Sequence, residues 1–204
     1  MNADEIMKLA WEAAPSWTSE AERGELIRLA GAVRDNGVIV EIGGLYGGMT
    51  AVLGLANPRA RITVIDEFSW DPYNRGASAK HLLENVRKVG VESVEVITGD
   101  SRKVWKQWKK QIDFLWIDGG HSYEFVKSDL DHFGPRAKLI ALHDWENPAW
   151  ASVKQAVLDW LGEHPEWKFD HHVEMVAVLT PLSPSTVTFP QMSAEVRGNL
   201  GGEE

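Results

Sequence analysis

The chain has 204 residues, 44% of them hydrophobic, which suits one globular domain with a sizeable core and leaves too little length for a second. Its formal net charge of −9 opposes a broad phosphate-binding surface, so nucleic acid is not an expected partner. The lack of cysteine excludes disulfides and thiolate metal sites, and charged residues break every apolar run before it reaches membrane-spanning length. With Met1-Asn2-Ala3-Asp4-Glu5 offering no basic leader, the expectation is a cytoplasmic protein with no membrane partner.

Residues 4–14 and 19–35 have helical spacing, with Pro15 between them and Ser19-x-x-Glu22 as a capping box. This predicts an N-terminal helical cap over 1–36. Apolar stretches then recur at 38–42, 61–65, 93–97, 112–117, 138–142 and 173–179. The intervening segments 77–89, 101–111, 123–133 and 150–161 read as helices. Strands alternating with helices predict an α/β, Rossmann-like core over 37–181, with a mostly parallel sheet covered on both faces. Trp167-Lys168-Phe169 and Val173–Leu179 break the alternation and predict a terminal antiparallel hairpin turning at Asp170-His171-His172. Residues 182–204, rich in Pro, Ser, Thr and Gly, read as a mobile tail. The basic run Arg102-Lys103, Lys106 and Lys109-Lys110 reads as a solvated helix face, with Trp105 and Trp108 packing inward.

The densest information lies in Glu41-Ile42-Gly43-Gly44-Leu45-Tyr46-Gly47-Gly48-Met49-Thr50, between a buried strand and a helix. Glycines permit positive φ and close approach of a ligand, and the helix start offers unpaired N–H groups. The spacing is not the G-x-G-x-x-G of dinucleotide sites, which disfavours an NAD-dependent oxidoreductase. Glu41, two residues before the first glycine, suits a cationic group such as an amine better than a pyrophosphate. That favours S-adenosylmethionine as cofactor. A side chain at Gly43 is expected to block the cofactor while sparing the fold.

Open sheets of this kind bind ligands beyond the carboxyl ends of their strands, and acids stand there repeatedly. Asp66-Glu67 follow the second strand, where Asp66 could accept hydrogen bonds from both ribose hydroxyls. Asp100-Ser101 follow the third and could border an adenine, with helix capping as the competing role. Asp118, in Ile117-Asp118-Gly119-Gly120-His121-Ser122-Tyr123, and His143-Asp144 end the next two strands. Asp118, His143 and Asp144 could hold a divalent metal: the oxygens suit Mg²⁺, and the histidine opens Mn²⁺ or Fe²⁺. A hydrogen-bonded Asp-His pair without metal is the alternative. Trp70 and Trp145 are expected to wall a substrate, and His171 and His172 to lie on the surface.

As an ordered set these motifs, over about residues 36–180, resemble class I S-adenosylmethionine-dependent methyltransferases. The closer resemblance is to the small O-methyltransferase-like group that includes macrocin-type and cephalosporin hydroxylase-like proteins. The resemblance implies that Gly43 to Thr50, including Gly44, Tyr46, Gly47 and Met49, wrap the methionine part of the cofactor. It places the ribose on Asp66 and the adenine beside Asp100-Ser101. Asp118 and Asp144 match the acids that hold a divalent metal in metal-dependent relatives. His143 falls where some relatives have a second acid, and Gly120 where the group often has Asp. The implied activity is methyl transfer to a small-molecule acceptor, best a hydroxyl, with His121 or His143 taking its proton. A binding module that keeps the cofactor without turnover is the competing class. The acceptor, the metal and any oligomer stay open.

Overall fold

The computed structural model describes residues 1–182; the predicted mobile tail, beyond Leu182, lies outside the described residues. Seven strands run in the order β3 (Val94–Thr98), β2 (Arg61–Asp66), β1 (Val38–Ile42), β4 (Phe114–Ile117), β5 (Ile140–Leu142), β7 (Val176–Pro181) and β6 (Trp167–Val173). The first five are parallel; β7 is antiparallel to both β5 and β6. The expected mostly parallel α/β sheet with a terminal hairpin is therefore present.

Strict alternation along buried strands sends neighbouring side chains to opposite faces. Ile39, Val64, Phe114 and Trp116 join one core with α1 (Ala3–Ala13), α2 (Glu20–Gly31), α3 (Gly48–Ala56) and α4 (Ala79–Lys88). Val40, Ile65, Leu115 and Ile117 join the other with α6 (Tyr123–Phe133) and α7 (Ala151–Glu163). The N-terminal helices thus share a core with the sheet, through Ile6, Ala10, Leu26 and Leu29. The capping box at α2 is formed as expected, Ser19 Oγ accepting from the Glu22 amide and the Glu22 carboxylate accepting from the Ser19 amide. Among the described residues no helix is long and apolar enough to cross a membrane.

Two predicted elements need correction. The segment 101–111 holds only a short helix α5 (Ser101–Val104) and a 3₁₀ turn over Trp105–Gln107. Trp108 turns into the core and donates its indole N–H to the Lys110 carbonyl, which the continuing helix would prevent. The hairpin does not turn at Asp170-His171-His172, which lie within β6; the turn is Glu174-Met175, with Glu174 at φ +49. Register slips between Phe169 and His171, and His171 pairs with Glu25 of α2 at 2.9 Å, so this polar stretch is held by a partner far along the chain. His172 is exposed, as expected, and His171 is half-buried.

Candidate active site

The strand order reverses between β1 and β4, and in open parallel sheets ligands bind at that switch point, outside the carboxyl ends. Gly43 leaves β1 at φ +91, and a Cβ there would stand 2.1 Å from the Asp118 carbonyl oxygen at the end of β4. Close approach of two strand ends therefore demands glycine. Gly47, at φ +92, is the left-handed residue that starts α3. Between them Leu45 also has positive φ, at +45°. What holds this turn is Asp66 at the end of β2: its Oδ2 accepts from the Gly44 and Leu45 amides at 2.8 and 2.7 Å. Its Oδ1 accepts from the Phe68 amide at 2.7 Å.

Glu41 is wholly buried on the α3 face of the sheet. Its Oε2 accepts from the Thr50 hydroxyl at 2.5 Å, and its Oε1 has no hydrogen-bond partner. Burial pushes its carboxyl up to about 8; Thr50 opposes this, and Asp118 and Asp66 add to it. Tyr46 is buried with its hydroxyl on Asp71, in the β2–α4 loop. Met49 accepts from the Thr18 hydroxyl at 3.1 Å, joining the turn to the N-terminal helices. Glu67 is exposed. Asp100 caps α5 and is held at 2.8 Å by Arg102. Ser101 is buried and faces Asp129 of α6, a carboxylate without a well-formed hydrogen bond; burial pushes Asp129 up to about 7.

A second group of polar residues gathers at the ends of β4 and β5. His143 Nδ1 stands 3.4 Å from both Asp118 Oδ1 and Asp144 Oδ2. Asp144 Oδ2 also pairs with His121 Nε2 at 2.9 Å, while its Oδ1 accepts from the Asn147 side-chain Nδ2 at 2.6 Å. One ligand atom from each of Asp118, His143 and Asp144 lies within 4.8 Å of the others. The His121 ring stacks on Trp150 at 4.9 Å, and its carbonyl accepts from Ser152. Asp144 adopts φ +62, an unusual backbone for a residue with a side chain. Burial lowers the His143 pKa, but Asp118, Asp144 and Glu22 outweigh it and raise the imidazole to about 12. Burial raises Asp144, but His121, His143 and Asn147 outweigh it and hold the carboxyl well below its usual range.

Sequence reasoning missed Glu22. Its Oε2 reaches His143 Nε2 at 3.5 Å, and its Oε1 accepts from the Met175 amide in the β6–β7 turn. The capping-box acid was the available signal, but its second role is visible only in three dimensions. Trp145, expected as a substrate wall, is instead buried against Phe169 at 5.0 Å, because β6 covers it. Trp70 is 58% exposed and packs with Trp17 at 5.4 Å.

A doubly wound sheet with acids at five neighbouring strand ends and a glycine turn at its switch point defines a nucleotide-type cofactor fold. The methyltransferase domain family matches residues 40–145, just over half of the chain, and the chain belongs to that family. Similar solved structures share the fold. The O-methyltransferase NovP has a TM-score of 0.72 at 15% identity, over 89% of this chain and 98% of NovP. TomG from Streptomyces achromogenes, an O-methyltransferase of tomaymycin synthesis solved with S-adenosylmethionine, scores 0.62 at 15% identity, over 88% and 91%. CalS11, a TDP-rhamnose 3'-O-methyltransferase of calicheamicin biosynthesis, scores 0.58 at 20% identity, over 87% and 92%. No curated protein matches the sequence.

The chain is therefore a methyltransferase-family protein, and the cofactor that this fold implies is S-adenosylmethionine. The residues at the switch point fit that cofactor: the unpartnered Glu41 Oε1 is an acceptor for a cationic group, and an acid rather than a base ends β2. Asp118, His143 and Asp144, two carboxylates and an imidazole from adjacent strand ends, fit a divalent ion by their donor chemistry.

Proposed function

We propose that the protein methylates a hydroxyl of a small molecule held over the ends of β4 and β5, with His121 as general base. The observation that carries this reading is the orientation of His121. Asp144 accepts from Nε2 at 2.9 Å, which leaves Nδ1 as the lone-pair nitrogen, and the stack on Trp150 fixes the ring plane. His143 is the poorer base, because it is buried and enclosed by three carboxylates that keep its proton. The names of the similar structures support an oxygen acceptor, one of them a nucleotide sugar.

S-adenosylmethionine, when bound, supplies an electrophilic methyl group whose transfer leaves S-adenosylhomocysteine. Gly43 to Thr50, with Glu41 beneath, would hold its methionine part, Asp66 and Glu67 its ribose side, and Asp100-Ser101 its adenine side. Asp66 acts through two routes, since the same carboxylate that faces this side also fixes the turn. Asp118, His143 and Asp144 would hold a divalent ion, whose chemistry is to lower the pKa of an acceptor hydroxyl. His121 Nδ1 would take the proton of the acceptor hydroxyl, leaving the oxygen as the nucleophile for the methyl group. Alignment of those atoms is the larger part of catalysis here, and it falls to the rigid strand ends.

A panel of sugars, phenols and nucleotide sugars incubated with the protein and S-adenosylmethionine should yield a methyl ether, read by mass spectrometry. With that acceptor, His121→Ala should lower kcat by about 100- to 10,000-fold while leaving S-adenosylhomocysteine affinity intact. A variant with full kcat removes His121 as the base. Cofactor binding without methylation of any hydroxyl would return the chain to a binding module.

A further inference from the structure

Every carboxylate and imidazole at the ends of β4 and β5 has a role in the reading above except Glu22, which comes from the N-terminal helices. It is 3% exposed, and burying a carboxylate so completely is costly unless its oxygens are used. Oε1 accepts from the Met175 amide at 2.9 Å, and Oε2 accepts from the Ser19 amide at 2.6 Å while facing His143 Nε2 at 3.5 Å. His143 therefore has a carboxylate behind Nε2 and two carboxylates, Asp118 and Asp144, in front of Nδ1. Nε2 itself is buried without a well-formed hydrogen bond.

This is the arrangement of a ligating imidazole, in which one ring nitrogen faces the ion and the other donates to an outer carboxylate that fixes tautomer and ring orientation. We propose that Glu22 is that outer partner: it makes His143 a ligand through Nδ1, and the site formed with Asp118 and Asp144 takes a nitrogen-accepting divalent ion such as Mn²⁺ or Co²⁺ in preference to Mg²⁺. This deepens the metal-assisted reading and rests on it. The selectivity follows from ligand type, since Mg²⁺ favours oxygen donors and keeps its water, whereas imidazole suits the later divalent ions. A second group of acids and histidine, Asp131, Glu163 and His164, has no such design. There Lys127 Nζ already bonds Asp131 and Glu163 at 2.7 and 2.8 Å on the outer face of α6 and α7.

The test is metal binding to the purified chain by calorimetry, without acceptor or turnover, supported by the visible spectrum of bound Co²⁺. Mn²⁺ and Co²⁺ should bind at least about tenfold more tightly than Mg²⁺. Glu22→Gln should weaken Mn²⁺ by about 10- to 100-fold and alter the Co²⁺ spectrum. Glutamine keeps one acceptor oxygen and can still complete the capping box, but its NH2 then meets the Met175 amide, so the melting temperature should fall as well. Ser19→Ala is the control for that loss: it breaks the cap and should lower the melting temperature while keeping Mn²⁺ affinity. Unchanged Mn²⁺ affinity in Glu22→Gln, or equal affinities for Mg²⁺ and Mn²⁺, would overturn the proposal. If no ion binds the parent chain at all, the metal site is lost, while methyl transfer through His121 is judged separately by its product.

Discussion

The two halves of the strand-end surface use acids in opposite ways. Around β1 and β2 the carboxylates serve the turn between β1 and α3: Asp66 takes three backbone amides of the turn and the following loop, and Glu41 takes the Thr50 hydroxyl. Around β4 and β5 they bind each other through histidines, and Asp118, His121, His143 and Asp144 form one connected group. The first half is scaffold and, as proposed, binding surface at once, so damage there should reach stability and affinity together. The second half is a polar network set on rigid strands, and damage there should reach chemistry more than fold.

The largest effect should come from Gly43→Val. A Cβ 2.1 Å from the Asp118 carbonyl, on a backbone at φ +91, forces β1 and β4 apart, and the expected cost is several kcal/mol. This revises the expectation that the substitution would block cofactor and spare the fold. Circular dichroism and thermal melting should show a strongly destabilised chain; a native melting curve would mean that the two strand ends do not meet as described.

Asp66→Asn comes next and tests whether scaffold and binding are one. The lost charge weakens hydrogen bonds from the Gly44 and Leu45 amides, each worth roughly 1.5–3 kcal/mol when charge-assisted. Melting temperature and S-adenosylhomocysteine affinity should fall together. A fall in affinity alone would separate ribose binding from the turn and narrow the contrast between the halves.

The smallest effect concerns Asp129, the acid beside Ser101 that lacks the backbone partners of its neighbours. Burial raises its carboxyl to about 7 in the folded chain, from about 3.8 unfolded. The folded state then holds the proton more tightly, so stability falls as pH rises from about 4 to 7 and stays low above that. Asp129→Asn should melt near the parent at pH 4 and above it at pH 8. A gap that does not change with pH would show that Asp129 is not a buried acid of this kind.

Much of this was legible in the chain. Four of the five parallel strands announce themselves as apolar runs because they are buried on both faces, β3 at the sheet edge is only partly buried, and an acid at or near the carboxyl end of each of the five marks the ligand side. What was not legible depends on partners far away in sequence. His171 reads as a turn residue until Glu25 is placed beside it, and Trp145 reads as a substrate wall until β6 covers it. Glu22 reads as a helix cap until the fold brings it to His143. The segment after Ser101 has helical spacing, but the inward Trp108 ends the helix early, and local periodicity carries no information about that depth.

The backbone of Asp144 carries a cost of its own. An L-residue in the left-handed region is disfavoured by roughly 1–2 kcal/mol, which glycine would avoid. Yet this φ of +62° is part of how the carboxylate comes to face both histidines. With the role proposed for Asp144, the sequence best for folding and the sequence best for chemistry differ at this one position, so a search for stabilised variants should converge on residue 144 and lose activity there.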